Sequence, residues 1–233
     1  MPNPKTPTDP EKLQRAAGHV VAKGIARWDP YLGPQLVVTG AIALDLALPQ
    51  KVTIGPFWLL PAFEALLVVG LFATSPPPNL RHSPVRRRFA LGLIGLVSTV
   101  NTVSLILLCH FLLKGHSESG RDLILAGVVL WVTNVLLFGL WFWELDRGGP
   151  LARLKDPEEP DFLFPQMTEP TLAKGWEPNL VDYLYVSFTN ATAFSPTDAM
   201  PLTRTAKLLM AAQALTALVT VGLVVARAVN ILS

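Results

Sequence analysis

The sequence predicts an all-α, polytopic membrane protein with five transmembrane helices and a short re-entrant or interfacial helix before the last. Three observations carry this expectation. Hydrophobic residues make up 51% of the 233 residues and charged residues only 15%, against about 25% charged in an ordinary soluble domain. The mean hydropathy is +0.41. The apolar residues fall in long runs rather than at amphipathic spacing, and a bilayer core requires runs of about 20 residues of a spanning helix. The pattern argues against a soluble enzyme, a disordered chain and a nucleic-acid binder. A single cysteine, Cys109, argues against an internal disulfide framework or a multi-cysteine metal site.

Taken in order, residues 1–34 read as a cytoplasmic tail. Its first nine residues are Pro-, Asn- and Thr-rich and lack the apolar segment and cleavage site of a signal peptide. Over 10–28, Leu13, Ala17, Val20, Val21, Gly24 and Trp28 share a helical face with Lys12, Arg15, Lys23 and Arg27 largely off it. Such a basic amphipathic helix suits an anionic membrane surface. Residues 35–145 read as a four-helix transmembrane region. Leu36–Leu48 and Phe57–Thr74 form a helical hairpin about the Pro49–Pro56 turn, and Phe89–Leu113 and Leu123–Leu145 are the next two spans. Pro76, Pro77 and Pro78 stop the second span, and Gly148-Gly149-Pro150 stops the fourth. Residues 146–180 read as a polar loop whose acids at 156–161 form a solvated surface. Residues 181–233 hold a 14-residue half-helix, Val181–Phe194, broken at Ser195-Pro196-Thr197-Asp198, and a last span, Ala206–Leu232. The half-helix is too short and too polar to span, so it is either re-entrant or interfacial; non-helical backbone at membrane depth requires cover by protein or water.

Charge orients the chain. Of 19 Lys and Arg, only Lys51, Lys114, Arg121 and Arg227 fall on one side of the five-span arrangement, and the other 15 fall opposite. The positive-inside rule puts the N-terminus, the arginine loop and 146–205 in the cytoplasm of a bacterial inner membrane. The partners expected are membrane lipids, with Arg86, Arg87 and Arg88 facing the headgroups.

Asp45 and Glu64 are carboxylates inside predicted spans. They cost about 2.5–3.5 kcal/mol on insertion scales, so they are functional candidates by default. The polar residues Ser98, Asn101, Ser104, Thr133, Asn134, Asn190, Thr192 and Gln213 either line a conduit or bond between helices. Interhelical bonding, worth about 0.6 kcal/mol a pair, is the preferred reading. Trp176, Tyr183, Tyr185 and Phe194 read as interfacial anchors. There is no phosphate loop, nucleophile elbow, His-Glu-x-x-His or paired-Asp motif. No enzyme activity, catalytic residue, metal or cofactor is expected.

Residues 183–213 resemble the pore helix, filter and inner-helix start of tetrameric potassium channels. Ser187, Phe188, Thr189, Thr192 and Asp198 fall in places comparable to the aromatic-Ser-Phe-x-Thr-x-Thr run and the filter aspartate. The Gly-Tyr-Gly core is replaced by Ala193-Phe194-Ser195-Pro196-Thr197. The resemblance implies a pore or filter built from Thr189, Asn190, Thr192, Phe194, Ser195, Thr197 and Asp198, a homotetramer, and monovalent cations as the permeating species. In those channels the pore loop enters from outside, whereas the charge distribution puts 181–200 inside. Most of residues 30–232 also resemble a bacterial domain-of-unknown-function family of small inner-membrane proteins. The resemblance rests on the hairpin, the arginine loop, Asp161-Phe162-Leu163-Phe164-Pro165 and the Tyr185-Val186-Ser187-Phe188-Thr189 segment. Function is therefore expected to be channel-like, through a homo-oligomeric pore formed by 181–233. The other reading is a non-conducting structural or regulatory protein that binds lipid or a protein partner.

Overall fold

The computed structural model describes residues 32–46, 48, 84–113, 120–155, 159–169, 171, 176–192 and 199–232. The chain divides at Leu32 into two units, and the account below concerns Gly33–Ser233. In chain order the elements are α1 (Leu32–Asp45), α2 (Pro84–Leu113), α3 (Gly120–Leu145), a 3-10 turn (Asp146–Gly148), α4 (Pro150–Lys155), β1 (Phe162–Leu163), α5 (Pro165–Thr168), α6 (Leu180–Thr192), β2 (Met200–Pro201) and α7 (Arg204–Leu232).

Among the described residues, three segments are long and apolar enough to cross a membrane: Arg87–Leu112, Arg121–Gly148 and Arg204–Val229. They are the third, fourth and last spans expected from the sequence. The expected first span is α1. Its 14 residues reach about 21 Å at 1.5 Å per residue, less than the ~30 Å of a hydrocarbon core. The expected second span, the carboxylate Glu64 on it and the basic helix over 10–28 lie outside the described residues.

Proline and glycine set several boundaries. Pro84 opens α2, where its missing N–H would have had no partner anyway. Beyond α3 the backbone turns through Arg147 (φ 52°), Gly148 (φ 73°) and Gly149 (φ 94°). At Gly149 a Cβ would also stand 2.8 Å from the Glu144 carbonyl oxygen, so both conformation and space require glycine there.

α3 is the axis of the packing: 56% of an apolar 18-residue stretch of it is buried, against 44% for α2 and 17% for α7. One apolar cluster joins Val38, Ala41 and Ile42 of α1, Leu93, Ile94 and Val97 of α2, and Leu137 and Leu140 of α3. A second joins Leu105 and Leu108 of α2 to Leu123, Ala126 and Leu130 of α3, with Leu48. The two clusters fix α2 and α3 as antiparallel neighbours, and Trp141 Nε1 donates to Ser98 Oγ (3.1 Å) across the same seam.

The placement of α6, β2 and α7 follows from contacts with α3 and β1. Tyr183 bonds to Asp146, Gly139 lies against Leu184, and Ala191 packs with Val135 and Ala217. α6 thus runs antiparallel to α3, from the Asp146 end to a depth of about 16 Å, at 1.5 Å per residue between Asp146 and Val135. The chain is back at that end by β2, whose Pro201 and Met200 pair antiparallel with Phe162 and Leu163 of β1. α7 then departs from the same end and runs the full length of α3, with Val224 beside Gly127.

Candidate functional site

Two polar assemblies hold α6 in place. The first surrounds Asp146, which is fully buried. Its Oδ1 accepts from the Asp161 N–H (2.8 Å) and the Phe162 N–H (3.2 Å). Its Oδ2 accepts from the Tyr183 hydroxyl and lies 3.8 Å from Arg147 Nε and 3.9 Å from Arg153 Nη1. Arg153 also donates to the carbonyls of Trp143 (2.8 Å) and Asp146 (2.9 Å). Its guanidinium lies 5.6 Å from the Trp143 ring centre and 5.3 Å from that of Tyr183, a cation–π arrangement. Burial pushes the Tyr183 phenol well above its ordinary pKa, so it remains a donor.

Asp161 extends the network to α7. Its Oδ2 accepts from the Arg147 N–H (3.2 Å), its Oδ1 from the Thr203 hydroxyl, and its carbonyl from the Leu202 N–H (2.8 Å). Arg147 has left-handed backbone angles, φ 52° and ψ 37°, and this bond to Asp161 helps hold them. Phe162 and Phe164 stack around Tyr183 with centroids 6.3 and 5.4 Å away. Beside Asp146, Glu144 is fully buried and pairs with Arg87 of α2, Nε to Oε1 at 3.1 Å. Arg87 Nη2 also donates to the Glu144 carbonyl (3.3 Å).

The second assembly lies deeper. Ser187 Oγ donates to the Val135 carbonyl (2.6 Å), and Gln213 Nε2 donates to the Ser187 carbonyl (2.9 Å) and hydroxyl (2.6 Å). Asn190 Nδ2 donates to Gln213 Oε1 (2.8 Å) and to the Met210 carbonyl (2.9 Å). α6 is thereby tied to α3 and α7 at once. Gly139 permits the close approach, because a Cβ there would meet Leu184 Cδ2 at 2.6 Å and its Cα at 3.1 Å. Gly139→Leu is expected to push α6 away from α3; cleavage by trypsin at Lys155 or Arg153 in detergent should then accelerate at least tenfold, and an unchanged rate would contradict this packing. A cavity of about 80 Å³ lies between α6 and α5, bounded by Phe164, Asp182, Tyr185, Thr189 and Ala199.

The residues singled out in the sequence are placed as follows. Asn190 bonds α7 as above. Thr189 Oγ1 donates to the Tyr185 and Val186 carbonyls (2.9 and 3.0 Å), and Thr192 Oγ1 to the Thr189 carbonyl (2.8 Å). Phe194, Ser195, Thr197 and Asp198 lie outside the described residues. Asp45 ends α1, and its side chain, like that of Arg86, lies outside them too. Arg87 is tied to Glu144 and Arg88 is exposed. Tyr183, read as an interfacial anchor, is fully buried, and Asp161, read as part of a solvated surface, is bonded on four atoms. Sequence reasoning missed Glu144, Asp146 and Arg153. The signal was present: Glu144 directly follows the aromatic run Trp141-Phe142-Trp143 and Asp146 comes two residues later, where solvation is already lost.

Among the described residues no cluster of His, Cys, Asp or Glu is placed to hold a metal ion. No family model, curated protein or solved structure matches the chain.

Proposed function

We propose that this membrane protein is channel-like: α6 and the segment to Pro201 form a re-entrant element, and several copies surround a path for monovalent cations. The observation that carries the reading is the return of the chain. Leu180 and Pro201 belong to the same end of α3, and a full-length helix follows. A half-helix entering this way directs its carbonyl end, the negative end of its dipole, to mid-depth, where it attracts a cation. The low burial of α7, 17% over an apolar 18-residue stretch, leaves Leu208, Leu215 and Leu218 exposed for lipid or for neighbouring copies, in keeping with a homo-oligomer. The distribution of Lys and Arg supports an inner-membrane location with the N-terminus, Arg88 and the mouth of the element on the cytoplasmic side.

A second reading has its own support. Ser187, Asn190 and Gln213 satisfy one another within a single chain, which suits a non-conducting protein whose rigid end binds lipid or a protein partner.

Reconstitution separates the two. Sealed vesicles containing the protein should release K⁺ or Rb⁺, and Thr192→Ala or Asp198→Ala should change that rate severalfold. Wild-type vesicles no leakier than empty ones would sink the channel reading and leave the second.

A further inference from the structure

The seam between α2 and α3 contains a layer that its apolar clusters do not explain. Leu93, Ile94 and Val97 meet Leu137 and Leu140 above it. Leu105 and Leu108 meet Leu123, Ala126 and Leu130 below it. Between these clusters the same stripes carry Asn101 and Ser104 on α2 and Thr133 and Asn134 on α3. The antiparallel register sets Asn101 about level with Thr133, and all four within about one helical turn. They are 4%, 1%, 0% and 2% exposed. Asn101 Oδ1, Ser104 Oγ, Thr133 Oγ1 and Asn134 Oδ1 have no hydrogen-bond partner among the described residues.

Helical hydroxyls have an easy way to avoid this, by donating to the carbonyl four residues back. The exposed Thr39, Thr99 and Thr102 all do so, at 2.7–2.8 Å. Ser104 and Thr133 do not, although burial makes an unmet oxygen far more costly. The unmet atoms are all oxygens, and all are neutral.

We infer that Asn101, Ser104, Thr133 and Asn134 form a site for a monovalent alkali cation, sodium or potassium, inside each chain. A dehydrated cation accepts lone pairs from neutral oxygens, as carbonyl rings do in selectivity filters. A single water could also meet these atoms, donating to the two amide oxygens and accepting from the two hydroxyls, so the salt dependence below is what separates the two occupants. Among the described side chains the layer holds no carboxylate, and divalent calcium or magnesium sites are built on carboxylates, so a single charge fits. The site is separate from the 180–201 element and holds whether or not that element conducts.

The test is thermal unfolding of the full chain in detergent, at constant ionic strength, in NaCl, KCl or N-methyl-D-glucamine chloride. One alkali cation should raise the Tm saturably, by about 5 °C at full occupancy. Asn101→Leu with Asn134→Leu should abolish the cation dependence, and Ser104→Ala should raise the half-saturating concentration about tenfold. The same Tm in all three salts would overturn the inference and assign the layer to water. A dependence that survives in Ser104→Ala at the wild-type concentration, or in the double variant, would overturn it as well. Should the double variant fail to fold, the wild-type salt series and Ser104→Ala still decide.

Discussion

Asp146→Ala is expected to lower stability by about 3–5 kcal/mol, the range found when one member of a buried charge pair is removed. The cost has three sources. The Asp161 and Phe162 N–H groups lose their acceptor, the Tyr183 hydroxyl is left buried without one, and Arg153 loses its neutralising carboxylate. Asp146→Asn keeps the shape and one acceptor but removes the charge, so it should fall between wild type and Asp146→Ala. Tyr183→Phe removes one donor only and should cost about 1–3 kcal/mol. Equilibrium unfolding in mixed micelles with SDS gives these values directly. An Asp146→Ala protein as stable as wild type would mean that the assembly contributes nothing to holding 146–203 together.

Arg87→Leu is expected to be nearly as damaging, for a different reason. Glu144 is fully buried while the Arg87 side chain is 35% exposed, so the loss falls mainly on the carboxylate left alone. We expect about 3 kcal/mol for Arg87→Leu. Glu144→Gln should cost less, since an amide needs no counter-ion. Arg87→Leu combined with Glu144→Leu should be more stable than Arg87→Leu alone, because removing both charges also removes the desolvation cost. Unfolding midpoints of wild type, Arg87→Leu, Glu144→Leu and the double variant form a double-mutant cycle. Additive effects would show that the 3.1 Å pair carries no coupling.

How much of this was legible in the sequence depends on range. α2, α3 and α7 were legible because a membrane helix declares itself locally, by a run of apolar residues. α6 was legible to within two residues at either end, from its length and from the Ser195-Pro196 break. Interhelical bonding by the scattered polar residues was also anticipated, and Trp141–Ser98 and Asn190–Gln213 are bonds of that kind. For the side-chain oxygens of Asn101, Ser104, Thr133 and Asn134 no such bond is found among the described residues, and nothing in a sequence reports whether a buried oxygen finds a donor. The Asp146 assembly was not legible because its partners are remote. Tyr183 lies 37 residues away and Arg87 lies 57 from Glu144. The two-residue strands β1 and β2 have no period to detect. α1 was placed about four residues late at its start, because Leu32 to Gln35 with a glycine and a proline look like a lead-in rather than a first turn.

The central claim is that residues 180–201 enter and leave by one face, and site-directed labelling tests it most directly. In a Cys109→Ser background, single cysteines are introduced by Glu177→Cys, Leu202→Cys and Arg121→Cys. Glu177 precedes α6, Leu202 follows β2 and Arg121 is at the far end of α3; all three are exposed. A membrane-impermeant maleimide is applied to intact cells and to inverted vesicles. The account predicts that E177C and L202C react from the same side, and R121C only from the other. Reaction of E177C and L202C from opposite sides would mean that the segment crosses the membrane, and would contradict it.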